Sequence, residues 1–337
     1  MTWYAAACQT AFDCPVDRNE ISERTARMCA IVEQTIVGYE PFFDVRLLVF
    51  PEFAHSPPVY DDIAVLRDRL AVRLPNDHTD RYAALCRKYG CFIQTGSFIE
   101  LDERYPNHLF NSTVLIGPSG LLLKYRKVNP WIPWELHASP HDLPEYDEEF
   151  FPVVDTELGK IGVAICYDWL FPEAIRQLAW NGAEILLRVS AYMDPWGTQS
   201  PMDWWTLFNR VRAIENTCYV VACNQGAEFR QYPPFSWPGG SMVVDFDGRI
   251  LAQADPGPGE KVVVAPIDMA SLRFARKRRR GHDMVSHFRS SAYSYFHQQG
   301  LMPAGDQTIT KALNEKRIEE AKRRAWRDGF NPPEASA

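Results

Sequence analysis

In the first half of the chain, short apolar runs alternate with longer segments whose apolar residues have helical spacing. The apolar runs predict strands at 3–9, 46–52 and 91–100. The segments 18–37 and 78–90 predict helices, and the second of these ends at a glycine. Alternation of strand and helix in this order is typical of an α/β protein.

Two predicted hairpins further along the chain indicate that the sheet is not purely parallel. Residues 109–127 predict two strands around Pro118-Ser119-Gly120, and "GSMVVDFDGRILAQA" predicts two more around Asp247-Gly248. Between the hairpins, strands are predicted at 161–165, 184–189 and 218–224, and helices at 171–182 and 201–217. We therefore expect an α/β fold in which mixed sheets are covered by helices.

Two segments fall outside this regular pattern. The segment 129–155 contains five prolines together with Trp131 and Trp134, and a loop of this length in a compact domain is usually functional. After about residue 270 the chain becomes a tail with few apolar positions, which includes a charged, helix-like segment at 309–328. We expect a domain over 1–270, followed by an extension over 271–337 that wraps a partner subunit.

Composition and charge exclude several classes of function. With 46% hydrophobic and 23% charged residues, the chain is typical of a soluble globular protein. Its net charge of -7 argues against a nucleic-acid or anionic-membrane partner, and no apolar run is long enough to span a bilayer. The basic run from Arg273 to Gly281 is expected to be a solvated or oligomer-facing segment.

The cysteines indicate a reducing compartment. The chain has eight of them, none in a Cys-x-x-Cys spacing, and several lie inside apolar runs. This pattern disfavours a zinc site and a disulfide framework. Because the N-terminal segment also lacks the features of a secretion signal, we expect a cytoplasmic protein.

One of these cysteines is a candidate for chemistry. Cys166 ends the predicted strand 161–165, immediately before a helix that begins near Pro172, and strand ends of α/β sheets often carry reactive groups. A thiol with a pKa of about 8.5 needs a base or a positive charge to attack at neutral pH. Glu52 and Lys127 follow two other apolar strands. Each residue alone fits an ordinary strand end or a core thiol, whereas the three together predict an active site.

The sequence around these three residues resembles a known superfamily. "FPEF" with Glu52, "KYRKVNPW" with Lys127 and "AICYDWLFPE" with Cys166 are similar to the Glu-Lys-Cys signature of the nitrilase superfamily of carbon–nitrogen hydrolases. The resemblance extends from about residue 3 to about residue 268. It implies a four-layer α-β-β-α sandwich that forms homodimers or larger even assemblies and uses no metal or organic cofactor.

Within the superfamily, the chain most resembles the aliphatic amidase and formamidase branch. In that branch a second glutamate follows the lysine by eight positions, as Glu135 does here, and "LLRVSAYMDP" and Tyr60 are also similar. The nucleophile region differs, since this chain has Cys-Tyr-Asp-Trp where the branch usually has Cys-Asp-Asp-Gly or Cys-His-Asp-Gly. The preferred acyl group is therefore open.

The resemblance implies hydrolysis of a small amide through a thioester. Glu52 would take the thiol proton, and Lys127 with the backbone N–H of Tyr167 would stabilise the oxyanion that forms when Cys166 attacks. Glu135 would orient the substrate nitrogen or a water and tune Lys127. Crowding two carboxylates against one ammonium is expected to raise the pKa of at least one glutamate.

The second group of candidates consists of residues that could line the substrate pocket or simply pack: Tyr60, Trp134, Tyr167, Asp168 and Tyr192. The histidines at 108, 137, 141 and 282 are expected to be structural or solvated, because Glu-Lys-Cys chemistry needs none of them.

Other functions remain open on the same motifs. Hydrolysis of an N-carbamoyl amino acid or a ureide would use the same three residues, and the bulky residues at 167 and 169 could belong to such a pocket. Nitrile hydrolysis fits less well, because that branch tends to have Cys-Trp-Glu at the nucleophile. A silent interaction protein is disfavoured by the presence of all three groups, and a thiol-redox protein by the lack of a second cysteine near 166.

Overall fold

The structure, a computed structural model, describes residues 2–11, 15–56, 62–132, 134–193, 201–226, 237–255, 257–293, 296, 300–302 and 310–326. The first part of the chain contains β1 (Thr2–Gln9), α1 (Arg18–Tyr39), β2 (Val45–Val49), α2 (Ile63–Leu70), α3 (Asp77–Tyr89), β3 (Phe92–Gln94), β4 (Phe98–Glu100), β5 (Phe110–Gly117) and β6 (Gly120–Arg126). The second part contains β7 (Val153–Thr156), β8 (Gly159–Ile165), α4 (Pro172–Trp180), β9 (Ile185–Ser190), α5 (Trp204–Asn216), β10 (Tyr219–Asn224), β11 (Met242–Val244), β12 (Ile250–Gln253), β13 (Lys261–Asp268), α6 (Met269–Arg278) and α7 (Lys311–Ala325).

The strands form two mixed sheets. In the first sheet the order is β13-β1-β2-β3-β5-β4, with β6 paired to β5, and in the second it is β12-β11-β10-β9-β8-β7. Parallel pairs lie at the centre of each sheet, and both predicted hairpins add antiparallel strands. The mixed sheets that the sequence predicts are therefore confirmed.

The two sheets pack face to face and are covered by helices on their outer sides. Helices α1 and α3 pack on the first sheet, and α4 and α5 pack on the second. The apolar residues between the sheets are fully buried and include Ala5, Ala7, Leu47, Val49, Val163, Ile165, Leu187 and Val189. This arrangement is the expected four-layer α-β-β-α sandwich, held together mainly by the burial of apolar side chains.

The predicted strand over 91–100 is wrong in one respect, since it is two strands separated by Thr95, Gly96 and Ser97. A Cβ atom on Gly96 would lie 2.5 Å from the Pro51 carbonyl oxygen and 2.6 Å from the Ala54 Cβ. Only glycine allows the loop after β2 to approach this closely. The interruption of the strand therefore makes room for the segment that carries Glu52.

Four elements, α2, β7, β13 and α6, were not predicted from the sequence pattern. β13 pairs antiparallel with β1 along eight residues, from Thr2 opposite Asp268 to Gln9 opposite Lys261. Its sequence, KVVVAPID, has a continuous apolar run with a proline, which weakens the alternation expected of a strand. Pairing with β1 over its whole length outweighs this weak local signal.

The basic run forms an ordered helix rather than part of a loose tail. In α6, Arg276 donates to the carbonyl oxygens of Thr217 at 2.9 Å and Ala183 at 2.7 Å, and Arg273 forms a bidentate pair with Glu184. Arg276 is half-buried and binds the turns before β9 and β10, so it is not simply solvated. The Arg273 side chain is 59% exposed, as expected of a solvated segment. In the described part of the chain, no helix combines the length and apolarity needed to cross a membrane.

Candidate active site

The three candidate residues of the signature lie at the ends of strands from both sheets. Lys127 directly follows β6, Cys166 directly follows β8, and Glu52 lies three residues beyond β2. Glu52 is 0% exposed, Lys127 1% and Cys166 9%. Such complete burial of two charged groups requires that they be paired.

Lys127 is shared between two carboxylates. Its Nζ lies 2.9 Å from Glu52 Oε1 and 2.8 Å from Glu135 Oε1. Glu135 is also buried and reaches the ammonium from the loop that follows β6. The lysine and both glutamates predicted from the motif are therefore in direct contact.

The Glu52 carboxylate is fixed by groups from both sheets. Asn111 Nδ2 on β5 donates to Oε1 at 2.9 Å, and the backbone N–H of Ala191, just after β9, donates to Oε2 at 3.1 Å. The Cys166 thiol is close enough to this carboxylate for each group to influence the pKa of the other. Glu52 thus connects the lysine to the sulfur.

Glu135 is held through its second oxygen. The backbone N–H of Trp131 donates to Oε2 at 2.7 Å, and His137 Nε2 lies 2.9 Å from the same atom. Of the four histidines expected to be structural or solvated, His137 is buried and touches one of the site carboxylates.

Cys166 lies at a tight turn. Its φ of 45° is in the left-handed region, which is unfavourable for a residue with a side chain, and a short 3-10 helix, Cys166–Leu170, begins there. Asp168 Oδ2 accepts from the backbone N–H of Ile165 at 3.0 Å and so closes the turn. Pro172 then starts α4. The strained turn places the buried sulfur just beyond the end of the strand instead of inside the sheet.

The surroundings shift the pKa values of the two glutamates in opposite directions. Burial is the largest influence on Glu52 and raises its pKa, the Glu135 charge raises it further, and Lys127 opposes both. Burial also acts to raise the pKa of Glu135, but Lys127 and His137 outweigh it and hold that pKa at about 2. The expectation that crowding raises the pKa of one glutamate is met by Glu52, with burial as the main cause.

The thiol itself is not ionised in advance. Burial, followed by the Glu52 charge, raises the pKa of Cys166 to about 12, although Lys127, Ser190 and Arg188 act to lower it. A protonated thiol must lose its proton as it attacks. The group in place to accept that proton is Glu52.

The candidate pocket residues differ in their burial and in their contacts. Tyr167 follows the nucleophile and is near enough to Lys127 for the ammonium to influence its hydroxyl. Tyr192 is 7% exposed, and its hydroxyl has no hydrogen-bond partner in the described part of the chain. Trp134 is 41% exposed and stacks on Trp131 with ring centres 6.3 Å apart. Tyr60 lies outside the described residues.

Asp168 has a structural environment that was not foreseen. Its carboxylate accepts four hydrogen bonds, from Tyr125 Oη at 2.7 Å, Ile165 N at 3.0 Å, and Asn129 N and Nδ2 at 2.8 and 3.0 Å. These bonds use the full acceptor capacity of a carboxylate. Asp168 therefore ties the Cys166 turn to the start of the Glu135 loop and has no acceptor position left for a substrate.

Sequence reasoning missed Asn111, His137 and Arg188. Arg188 is fully buried in the middle of β9, donates to Asn209 Oδ1 at 2.8 Å and lies 4.3 Å from the centre of the Trp205 ring. A polar residue inside an apolar strand was the available signal for Asn111 and Arg188. Within the described ranges, no three His, Cys, Asp or Glu side chains are grouped as a metal ion would require.

Comparison with known proteins identifies the family of this chain. The family model for carbon–nitrogen hydrolases matches residues 4–277. Formamidases from Bacillus cereus (strain Q1) and Bacillus anthracis are each 31% identical over 252 residues, which is 73% of this chain and 68% of the relative.

Solved structures show the same fold. Saccharomyces cerevisiae Nit3, a member of branch 10 of the nitrilase superfamily, is 25% identical with a TM-score of 0.65, covering 83% of this chain and 95% of its own. A carbon–nitrogen hydrolase from Helicobacter pylori G27 is 22% identical with a TM-score of 0.71, covering 89% of this chain and 99% of its own. These findings show that the chain belongs to the carbon–nitrogen hydrolase family of the nitrilase superfamily and is an enzyme of the amidase type.

Proposed function

We propose that this protein hydrolyses the C–N bond of a small carboxylic amide to the acid and ammonia through a thioester on Cys166. The observation that carries the proposal is the sharing of the buried Lys127 ammonium between Glu52 and Glu135 beside the Cys166 turn. This arrangement supplies a nucleophile, a base and an electrostatic stabiliser in a site from which water is largely excluded.

In the first half of the reaction, the Cys166 sulfur bonds to the amide carbon while the thiol proton passes to the Glu52 carboxylate. The oxyanion that forms is stabilised by the Lys127 ammonium and the backbone N–H of Tyr167. When this intermediate collapses, the C–N bond breaks and the protonated Glu52 transfers its proton to the leaving nitrogen. Ammonia leaves, and a thioester remains on the sulfur.

In the second half, Glu52 takes a proton from a water molecule whose oxygen attacks the thioester carbon. Lys127 and the Tyr167 N–H stabilise the second oxyanion. The C–S bond then breaks, the sulfur regains the proton held by Glu52, and the acid leaves. Glu135 stays ionised throughout, because its low pKa keeps it a carboxylate, and it orients the Lys127 ammonium.

A small amide is favoured over a carbamoyl compound or a ureide. The 31% identity to formamidases supports the amide. The argument that a bulky residue at 169 shapes a carbamoyl pocket loses support, since Trp169 is fully buried and donates through Nε1 to the Ala164 carbonyl at 3.1 Å. Its indole packs inside the protein rather than against a substrate.

The proposal is tested by ammonia release from formamide, short aliphatic amides, aryl amides, nitriles and N-carbamoyl amino acids. We expect turnover of amides by the native protein and by Cys29→Ala, and none by Cys166→Ala. Cys29 is a half-buried thiol on α1 and serves as the matched control. Turnover of carbamoyl compounds alone, or equal turnover by Cys166→Ala, would contradict the proposal.

Self-association and a reducing, cytoplasmic location stay predictions. All cysteines in the described ranges are free thiols, which is compatible with a reducing compartment. Light scattering coupled to size-exclusion chromatography tests the expected homodimer or larger even assembly.

A further inference from the structure

Helix α7 has one buried face on an otherwise charged helix. Asn314 is 0% exposed and Arg317 8%, while Ile318 and Ala321 on the same side are half-buried. The spacing of 314, 317, 318 and 321 is that of one helical face. The remaining positions, such as Glu315 and Lys316, are exposed. This helix is therefore docked, and the residues at the centre of its contact are polar.

The buried face of α7 lies on the loop that carries Glu135. Asn314 Nδ2 donates to the Glu135 backbone carbonyl at 3.3 Å, and Arg317 forms a buried ion pair with Asp142. At the first turn of the helix, Lys311 Nζ lies 4.8 Å from the centre of the Trp134 ring. Three contacts spaced along α7 thus meet three positions of the same loop.

The contact at Asn314 acts on the backbone of Glu135. The side chain of that glutamate is held by Lys127, Trp131 N and His137, as described above, but a carboxylate is aligned only if its own main chain is fixed as well. The Thr310 side chain caps α7 by accepting from the Leu313 N–H at 3.1 Å. This cap fixes the start of the helix and thereby the position of Asn314 in its first turn. Because Asn314 is fully buried, its amide would lose a hydrogen bond without gaining one from water if it moved away from this carbonyl.

We propose that Asn314 is a positioning residue for Glu135, so that α7 sets the alignment of the Glu135 carboxylate with Lys127. For its catalytic readout the inference rests on the proposed amide hydrolysis. If Asn314 is lost, the Glu135 segment shifts, Lys127 loses one carboxylate, and the negative charge that helps raise the pKa of Glu52 moves away. The base then titrates at a lower pH, and the ammonium is less well placed for the oxyanion.

The test compares Asn314→Ala with Lys316→Ala, a change on the exposed face of the same helix, and with Asn314→Ser as a milder variant. We expect kcat for an amide to fall about tenfold in Asn314→Ala, because small misplacements of catalytic groups have large effects on rate. The acid limb of the pH profile of kcat/KM should move to lower pH. Asn314→Ser should change both quantities in the same direction by less, and Lys316→Ala should change neither.

A second measurement needs no substrate. The Glu135 N–H donates to the Trp131 carbonyl at 3.1 Å, and the Ala138 N–H donates to the Leu109 carbonyl at 2.7 Å, so both amides are protected from hydrogen exchange. Peptides covering 131–138 should exchange at least severalfold faster in Asn314→Ala and Asn314→Ser than in Lys316→Ala.

The two measurements separate the two proposals. A native protein that releases no ammonia from any amide removes the proposed function, whereas the exchange data still decide the role of Asn314. Unchanged exchange at 131–138 in both Asn314 variants overturns the positioning role. So does a loss of activity that follows only the unfolded fraction while the pH profile stays native.

Discussion

Replacing Lys127 by glutamine tests whether this one ammonium neutralises both glutamates. The substitution removes the positive charge and leaves a side chain of similar length in a fully buried position. The two carboxylates at 2.9 and 2.8 Å then face each other without a cation between them. Because both carboxylates lose the charge that lowers their pKa, both pKa values should rise.

The magnitude follows from the geometry. At an effective dielectric of about 20, each contact is worth about 6 kcal/mol of Coulomb energy, and desolvation of the ammonium offsets much of the sum. Breaking a buried pair by removing one partner leaves a net loss of about 3–5 kcal/mol in the free energy of unfolding. Removing the oxyanion stabiliser should also lower kcat by about 10²–10³.

The assay is chemical denaturation at pH 7 and at pH 5.5, with Lys124→Gln as the matched control. Lys124 lies on β6, three residues before Lys127, and pairs with Glu100 at 2.8 Å, but Glu100 keeps its bidentate pair with Arg126. Since this lysine is partly exposed, Lys124→Gln should lower the free energy of unfolding by about 1 kcal/mol or less. Amide turnover should persist in this control.

The pH dependence has a definite sign. Carboxylates whose pKa is higher in the folded than in the unfolded state bind protons more tightly when folded, so they favour folding as the pH falls. The loss in free energy of unfolding of Lys127→Gln relative to the native protein should therefore be smaller at pH 5.5 than at pH 7. Equal losses in the two lysine variants, or a deficit that grows on acidification, would refute the shared neutralisation.

Three further predictions follow from the same contacts. Glu135→Gln removes a negative charge that raises the pKa of Glu52, so the acid limb of kcat/KM should move to lower pH; an unmoved or raised limb argues against this coupling. Asp168→Asn should lower the free energy of unfolding by about 1–3 kcal/mol, measured by denaturation, because an amide cannot accept all four hydrogen bonds; an unchanged stability would contradict this. Arg276→Ala should lower the free energy of unfolding by about 1–3 kcal/mol, because the Thr217 carbonyl loses this donor and the Ala183 carbonyl keeps only the weak donor Cys218 Sγ at 3.2 Å. The exposed Lys277→Ala should lower it by less than about 0.5 kcal/mol, and equal effects would show that the α6 contacts do not matter.

The sequence was informative where the hydrophobic pattern and the chemistry coincide. Glu52, Lys127 and Cys166 could be singled out because each is a polar or reactive group at the end of an apolar strand. Glu135 was singled out by the resemblance to the amidase and formamidase branch, in which a glutamate follows the lysine by eight positions. A strand end is fixed by the sheet, so position along the chain translates directly into position in space. The mixed sheets covered by helices followed from the alternation of strands and helices, whereas the four-layer sandwich was implied by the resemblance to the nitrilase superfamily.

Contacts that depend on long-range packing could not be predicted in this way. The bond from Asn111 to Glu52 joins residues 59 positions apart, and that from Asn314 to Glu135 joins residues 179 positions apart. Asp168 has the sequence context of a pocket residue, but three of its four donors come from Tyr125 and Asn129, about 40 positions earlier in the chain. The charged pattern of α7 correctly predicts a helix and gives no sign of which surface that helix covers.

The division of labour between the two glutamates follows from their unequal surroundings. Both touch the same ammonium at almost the same distance, so Lys127 alone cannot explain why the pKa of Glu52 is raised and that of Glu135 is held at about 2. Glu135 has a second partner of potential positive charge in His137, whereas the additional neighbours of Glu52 are a neutral amide, a backbone N–H and the thiol. A site that drives two carboxylate pKa values apart assigns one group to proton transfer and the other to fixed charge. By this argument Glu52 carries the proton in each half-reaction, and Glu135 can perform its task only while it stays ionised and in place.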